Sequence, residues 1–200
     1  MIQPGLRRIA EDGYAVFIVK LPFRFAPLES HKQSAVDDAI GLITAHPEYS
    51  GWVLSGHSLG APLACRAVQK QSNAFAEMVL IGTTHPKQDN LNYLTLPVTK
   101  IFGSNDGVAT PDSIMKNKGL LPANARWVEI EGGNHSQFGH YGHQLFDGYA
   151  TITRSEQQSL TRTELLTTLH RVNDRGVEQS NALEPEAGPD SNRNSSPLAQ

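Results

Sequence analysis

The pentapeptide Gly56-His57-Ser58-Leu59-Gly60 constrains this chain more than any other feature, because of what flanks it. Before it, Trp52 to Leu54 is a short apolar run suited to a buried strand. After it come Ala61, Ala64, Cys65 and Ala67, small residues suited to a closely packed helix. A chain that passes from strand to helix within so few residues must turn sharply, which places the central serine in a strained backbone conformation. The flanking glycines are expected to remove Cβ atoms that would collide with neighbouring strands. Ser58 should then stand at the carboxyl end of a sheet, beside helix N–H groups and a positive dipole end that favour negative charge.

The rest of the chain repeats this alternation. Leu6, Ile9 and Ala10 share a helical face and Gly13 marks its stop. Tyr14 to Leu21 is almost unbroken in apolar, β-branched and aromatic residues, which predicts a strand covered on both faces and ended by Pro22. From Ser34 to Ala45 the residues Ala35, Val36, Ala39, Ile40 and Ile43 fall on one face, with Asp37 and Asp38 opposite, predicting an amphipathic helix that stops before Pro47. Met78 to Ile81, Val98 to Phe102 and Trp127 to Ile130 predict three further strands. Helices are expected at Pro111 to Lys118 and at Gln157 to Leu169, the latter opened by a Ser155-x-x-Gln158 capping box. Strands and helices in this order imply an α/β fold, a mainly parallel sheet with helices on both faces. One domain is expected over residues 1–172. From Asn173 to Gln200 the apolar periodicity ends, and residues 173–200 read as a disordered tail.

Composition narrows the partners. Seventeen Lys and Arg against twenty Asp and Glu give a formal charge of −3, with neither sign gathered into a long run. That argues against nucleic acid or an anionic membrane and for a neutral or weakly charged small molecule. Cys65 is the only cysteine, so no intrachain disulfide or thiolate metal cage can form, and a reducing cytoplasm is the expected location. No apolar run reaches the roughly eighteen residues needed to span a bilayer.

A serine hydroxyl is a weak nucleophile near neutral pH and needs an oriented base. Two later strand ends offer the partners: Gly103-Ser104-Asn105-Asp106-Gly107 carries a carboxylate, and Glu131-Gly132-Gly133-Asn134-His135 carries an imidazole. His135 would take the Ser58 proton, Asp106 would hold the imidazole in the right tautomer, and the N–H of Leu59 would help hold an oxyanion. Each feature alone is commonplace, since an Asp-Gly pair is usually only a turn. Three of them on successive strand ends, in the order Ser, Asp, His, form a constellation.

In these motifs the chain resembles α/β hydrolases, in particular family 5 of that fold, the subgroup related to dienelactone hydrolases. The resemblance is carried by Gly56 to Gly60, by Phe102 to Pro111, by Glu131 to Gly142 and by Asp147 to Arg154. It implies the α/β-hydrolase fold and hydrolysis of an ester or related acyl bond through an acyl-enzyme on Ser58, with no cofactor. Dienelactone hydrolases proper carry a cysteine where this chain has Ser58. In the resembled fold a central strand precedes the first large helix, and the loop between them gives the second oxyanion donor. Here that helix begins almost at Met1, so the chain reads as N-terminally incomplete, lacking the first strands. The missing strand would lie between Tyr14 to Leu21 and Trp52 to Leu54. A catalytically silent relative, or a truncated product with half an oxyanion hole, is therefore the alternative, and an acyltransferase using the same serine is a third reading.

His57 is expected to pack beside the nucleophile as a pocket residue, and Gln137, Phe138 and Tyr141 to shape the pocket wall. His135, His140 and His143 have the short spacings of metal ligands, but Gly139 and Gly142 make the segment an irregular loop, and no metal is expected. Cys65 reads as a small buried helix residue, and Trp52 and Trp127 as core or pocket-edge residues.

Overall fold

The apolar runs assemble into one parallel sheet. In the computed structural model, which describes residues 4–24, 26–140 and 142–183, the strands are β1 (Val53–His57), β2 (Glu77–Ile81), β3 (Val98–Gly103) and β4 (Arg126–Ile130). They form a four-stranded sheet in the order β1-β2-β3-β4, every neighbour parallel. The helices are α1 (Pro4–Glu11), α2 (Glu29–Ala45), α3 (Gly60–Lys70), α4 (Pro111–Lys116) and α5 (Arg154–Leu183). Alternate residues of each strand serve opposite faces. Met78, Leu80 and Val98 pack with Val36, Ala64, Cys65 and Val68 of α2 and α3, while Val79, Ile81, Ile101 and Ile130 pack with Phe138 and Leu165.

Register positions the site. His57 pairs with Ile81, Ile81 with Ile101, and Gly103 with Ile130, so β3 and β4 finish level with each other and two residues beyond the end of β1. The turns that follow these three strands carry Ser58, Asp106 and His135. Their convergence is a consequence of strand order, since parallel strands put their loops at one edge of the sheet.

Four expectations change. Tyr14 to Leu21 joins no strand ladder, and none of its residues is fully buried, with Ala15, Ile18 and Lys20 exposed, so it is not covered on both faces. A strand exists through paired backbone groups, and these residues are held by side chains instead. Tyr14 Oη lies 2.9 Å from His170 Nδ1, and the Phe17 ring lies 4.5 Å from His46 and 5.3 Å from Trp52. Helix α2 begins at Glu29, ahead of Ser34, because its first turn is polar and shows no apolar period. Glu29 instead bonds Lys32 and Arg66. The cap of α5 is Thr153, whose hydroxyl accepts the Glu156 N–H at 3.2 Å, and Ser155 lies within the helix.

The fourth change concerns the segment read as a tail. Helix α5 continues through Leu183, so the boundary at residue 173 falls inside a helix, while residues 184–200 lie outside the described residues. Polar docking replaces the apolar stripe that the sequence lacks. Glu77, 1% exposed at the start of β2, accepts from Thr99 Oγ1 at 2.9 Å, from Arg171 Nη2 at 2.5 Å and from Arg175 Nη2 at 3.3 Å. A buried carboxylate requires such partners, and they tie this part of α5 to the sheet. Among the described residues, no helix is long and apolar enough to cross a membrane.

Lys100 is a buried charge of the opposite kind. It lies on β3 at 1% exposure, its Nζ donates to the His85 carbonyl, and burial pushes its ordinary value of 10.5 down to about 7. Between these two values the unfolded chain holds a proton that the folded chain has released, so stability rises with pH across that window. Below it the full cost of burying the ammonium is present. Lys100→Met is therefore expected to raise the melting temperature more at pH 6.5 than at pH 10 relative to the parent. The lost hydrogen bond to His85 shifts both measurements alike, so a gain that is flat or larger at pH 10 would refute the buried-charge argument.

Candidate active site

Ser58 is built into strain. Its backbone φ is 49°, a left-handed conformation that costs a non-glycine residue on the order of 1–3 kcal/mol. Two hydrogen bonds hold it there: Ser58 N–H donates to the Ile81 carbonyl at 3.1 Å, and Ala61 N–H donates to the Ser58 carbonyl at 3.1 Å. Gly56 is required for a reason other than the one expected. A Cβ on it would lie 2.7 Å from Ala61 Cα and 2.7 Å from the Gly60 oxygen, so the obstacle is the start of α3 and not a neighbouring strand. At Gly60 a Cβ would meet nothing within 4 Å, and close packing gives no reason for that glycine.

The structure brings Ser58, His135 and Asp106 together. His135 Nε2 is 3.1 Å from Ser58 Oγ, and His135 Nδ1 is 2.9 Å from Asp106 Oδ2. Asp106 and His135 are 2% and 1% exposed, which keeps their hydrogen bond away from competing water. The other oxygen of Asp106 accepts the backbone N–H of Val108 at 2.9 Å and of Ala109 at 2.6 Å, so Oδ2 is left for the imidazole. In this arrangement Nδ1 carries the proton and donates to Asp106, and Nε2 is the lone-pair nitrogen facing the hydroxyl. A proton can pass from Oγ to Nε2 with the resulting imidazolium held by a carboxylate. Leu59 is the N-cap of α3 and 61% exposed. Its N–H belongs to the helix start, where intrahelical acceptors are lacking.

His57 lies with its ring centroid 5.2 Å from His135 and 5.8 Å from Phe138. Burial, reinforced by the neighbouring His135, pushes its ordinary value down to about 4. It is therefore neutral near neutral pH and adds no positive charge next to the base. Phe138 is buried at 7% with Val79, Ile81, Ile101 and Ile130, which makes it core beneath the site. Gln137 donates its amide to the Ile152 carbonyl at 3.2 Å, tying its loop to the segment before α5. Tyr141, expected in the pocket wall, lies outside the described residues. His143 stacks on Tyr149 with centroids 5.1 Å apart, and among the described residues no group of three or more His, Cys, Asp or Glu is placed to hold a metal. Cys65 is fully buried on α3, and burial pushes its thiol up to about 12.

Two supporting residues escaped the sequence reading. Gln157, fully buried on α5, accepts the Asn134 N–H with Oε1 at 3.0 Å and donates Nε2 to the Asn134 carbonyl at 2.7 Å, clamping the residue before His135. Asp147 is buried among the same loops. Its only sequence signal was membership of the Asp147 to Arg154 segment quoted for the resemblance, since a lone Asp-Gly pair looks like any turn.

Residues 3–159 match the alpha/beta hydrolase family. No curated protein matches the sequence. Among solved structures, the chain is similar to MGS-MChE2, an alpha/beta hydrolase enzyme from a sediment metagenome of the Mar Chica lagoon in Morocco. The TM-score is 0.57 at 20% identity, over 70% of this chain and 78% of that one. An alpha-beta serine hydrolase homologue from Coxiella burnetii gives 0.52 at 15% identity, over 69% and 60%. A thermophilic esterase from Thermogutta terrifontis gives 0.52 at 13% identity, over 70% and 72%. The aligned part spans less than two thirds of the Coxiella protein, and at these identities the likeness speaks for the fold alone.

Proposed function

The chain belongs to the alpha/beta hydrolase family, and from that premise we propose that it is a serine hydrolase that cleaves an ester or related acyl bond through an acyl-enzyme on Ser58. The observation that carries this reading is the unbroken relay from Ser58 Oγ to His135 Nε2 at 3.1 Å and from His135 Nδ1 to Asp106 Oδ2 at 2.9 Å.

In this mechanism His135 Nε2 takes the hydroxyl proton as Oγ attacks the substrate carbonyl carbon. The carbonyl π electrons move to oxygen, and the backbone N–H of Leu59 at the start of α3 stabilises the negative charge that develops. As the tetrahedral intermediate collapses, the imidazolium returns the proton to the leaving alkoxide, which departs as the alcohol. Water then enters. His135 removes its proton as it attacks the acyl carbon, and the carboxylic acid leaves with Ser58 restored. Asp106 holds the tautomer and stabilises the imidazolium in both halves. The small net charge favours a neutral or weakly charged substrate.

The test is hydrolysis of nitrophenyl esters of graded acyl length, with acid-quenched samples analysed by intact and peptide mass spectrometry. The expected result is turnover of at least the short esters and a transient acyl increment on the peptide containing Ser58. Turnover without an increment on that peptide, together with no effect of blocking Ser58, would refute the acyl-enzyme route. No turnover of any ester in the series would refute ester hydrolysis.

A further inference from the structure

The loops carrying Asp106 and His135 are joined by a third segment, whose central residue is Asp147. This side chain is 8% exposed and accepts five hydrogen bonds. Its Oδ1 takes the backbone N–H of Gly107 at 3.1 Å, of His135 at 3.2 Å and of Gly148 at 2.9 Å. Its Oδ2 takes the Ser136 N–H at 2.7 Å and the Ser136 hydroxyl at 2.6 Å. Burial alone would raise its pKa, but the Ser136 hydroxyl and the N–H donors of Ser136, Gly107 and His135 outweigh it and hold the carboxyl below its ordinary value.

An aspartate that merely caps its own turn bonds to one or two amides a few residues away. Asp147 does this once, at Gly148. Its other partners come from two separate loops, one residue after Asp106 in the first and at His135 and Ser136 in the second. The surrounding contacts act in the same direction. Asn105 Nδ2 donates to the Tyr149 carbonyl at 3.0 Å, and Asn134 Nδ2 donates to the Gly148 carbonyl at 2.7 Å. The approach is close enough that a Cβ on Gly107 would lie 2.3 Å from the Phe146 oxygen.

We propose that Asp147 is a positioning residue for the hydrolytic reaction, pinning the backbone of the Asp106 loop to that of the His135 loop and so fixing the spacing of imidazole, carboxylate and Ser58. It touches no reacting atom and acts through the two loops. The proposal rests on the hydrolytic reading above, but its geometry can be tested apart from activity.

Asp147→Asn is the sharpest variant, being nearly isosteric: it replaces one acceptor oxygen with an NH₂ group facing N–H donors. Displacement of the relay by about an ångström is expected to lower kcat on the order of a hundredfold, with KM changed by less than about threefold. Both are measured at a temperature where circular dichroism shows the variant fully folded. The downfield proton resonance of His135 Nδ1–H, bonded to Asp106, should be present in the parent and lost or broadened in Asp147→Asn. A folded variant that keeps both kcat and this resonance would overturn the proposal. If the parent protein hydrolyses no ester, the hydrolytic reading fails and the resonance alone decides the role of Asp147. If Asp147→Asn does not fold, amide exchange in the parent decides. Gly107, His135 and Ser136 N–H should be protected together although they lie in loops, and exchange at open-loop rates would overturn the clamp.

Discussion

Ser58→Ala is expected to abolish covalent labelling by a fluorophosphonate and to lower ester turnover by about five to six orders of magnitude. The size follows from the chemistry, because without Oγ no acyl-enzyme can form and His135 faces a methyl group. Residual turnover would come from binding and charge stabilisation alone. Folding should be preserved or slightly improved. The φ of 49° at Ser58 is no easier for alanine than for serine, and only the 3.1 Å contact to His135 is lost. The measurement is intact mass after exposure to the probe, with the parent taking one adduct and the variant none. An adduct on the variant would place the nucleophile elsewhere and remove the basis of the proposed function.

The second large effect is expected at Asp106. Asp106→Asn should lower kcat by about four orders of magnitude with KM little changed, because the amide can present NH₂ to Nδ1 and trap the tautomer whose Nε2–H cannot accept the serine proton. In this protein Oδ1 of Asp106 already accepts two backbone N–H groups, at Val108 and Ala109. The asparagine oxygen is therefore drawn to that side and its NH₂ turned toward His135, which makes the wrong tautomer the favoured one. His135→Ala should be at least as damaging. Steady-state kinetics of the two variants against the parent checks both. A fully active Asp106→Asn variant would mean that another acid orients His135, and Asp89 and Asp112 would be the residues to test.

How much of this was legible in the sequence depended on the range over which each feature acts. The four strands of the sheet were visible as short apolar runs, three of them within one residue of the observed ends and β1 three residues short at its carboxyl end, since burial leaves a local signature. Tyr14 to Leu21 has the same signature without the ladder. Apolar content records a preference for burial, whereas pairing needs a neighbouring strand with free backbone groups, and none of the described strands takes that segment. Helix α5 was under-read for the opposite reason: beyond Asn173 its anchor is the ion pair from Arg175 to buried Glu77, a partner 98 positions away.

By itself the sequence determined the strand-turn-helix at Ser58 and the order in which serine, carboxylate and imidazole follow successive strands, because a strained turn and a strand end are properties of a few adjacent residues. Tertiary structure alone decided that these ends lie at one edge of the sheet, in the observed register, and that Gly56, rather than Gly60, needs its missing Cβ. It also decided that one carboxylate at Asp147 joins the two loops. The physical reason is that a hydrogen bond or a steric contact depends on distances of a few ångströms between segments far apart in the chain. Those distances are set by strand order and register, which no local pattern of residue types records.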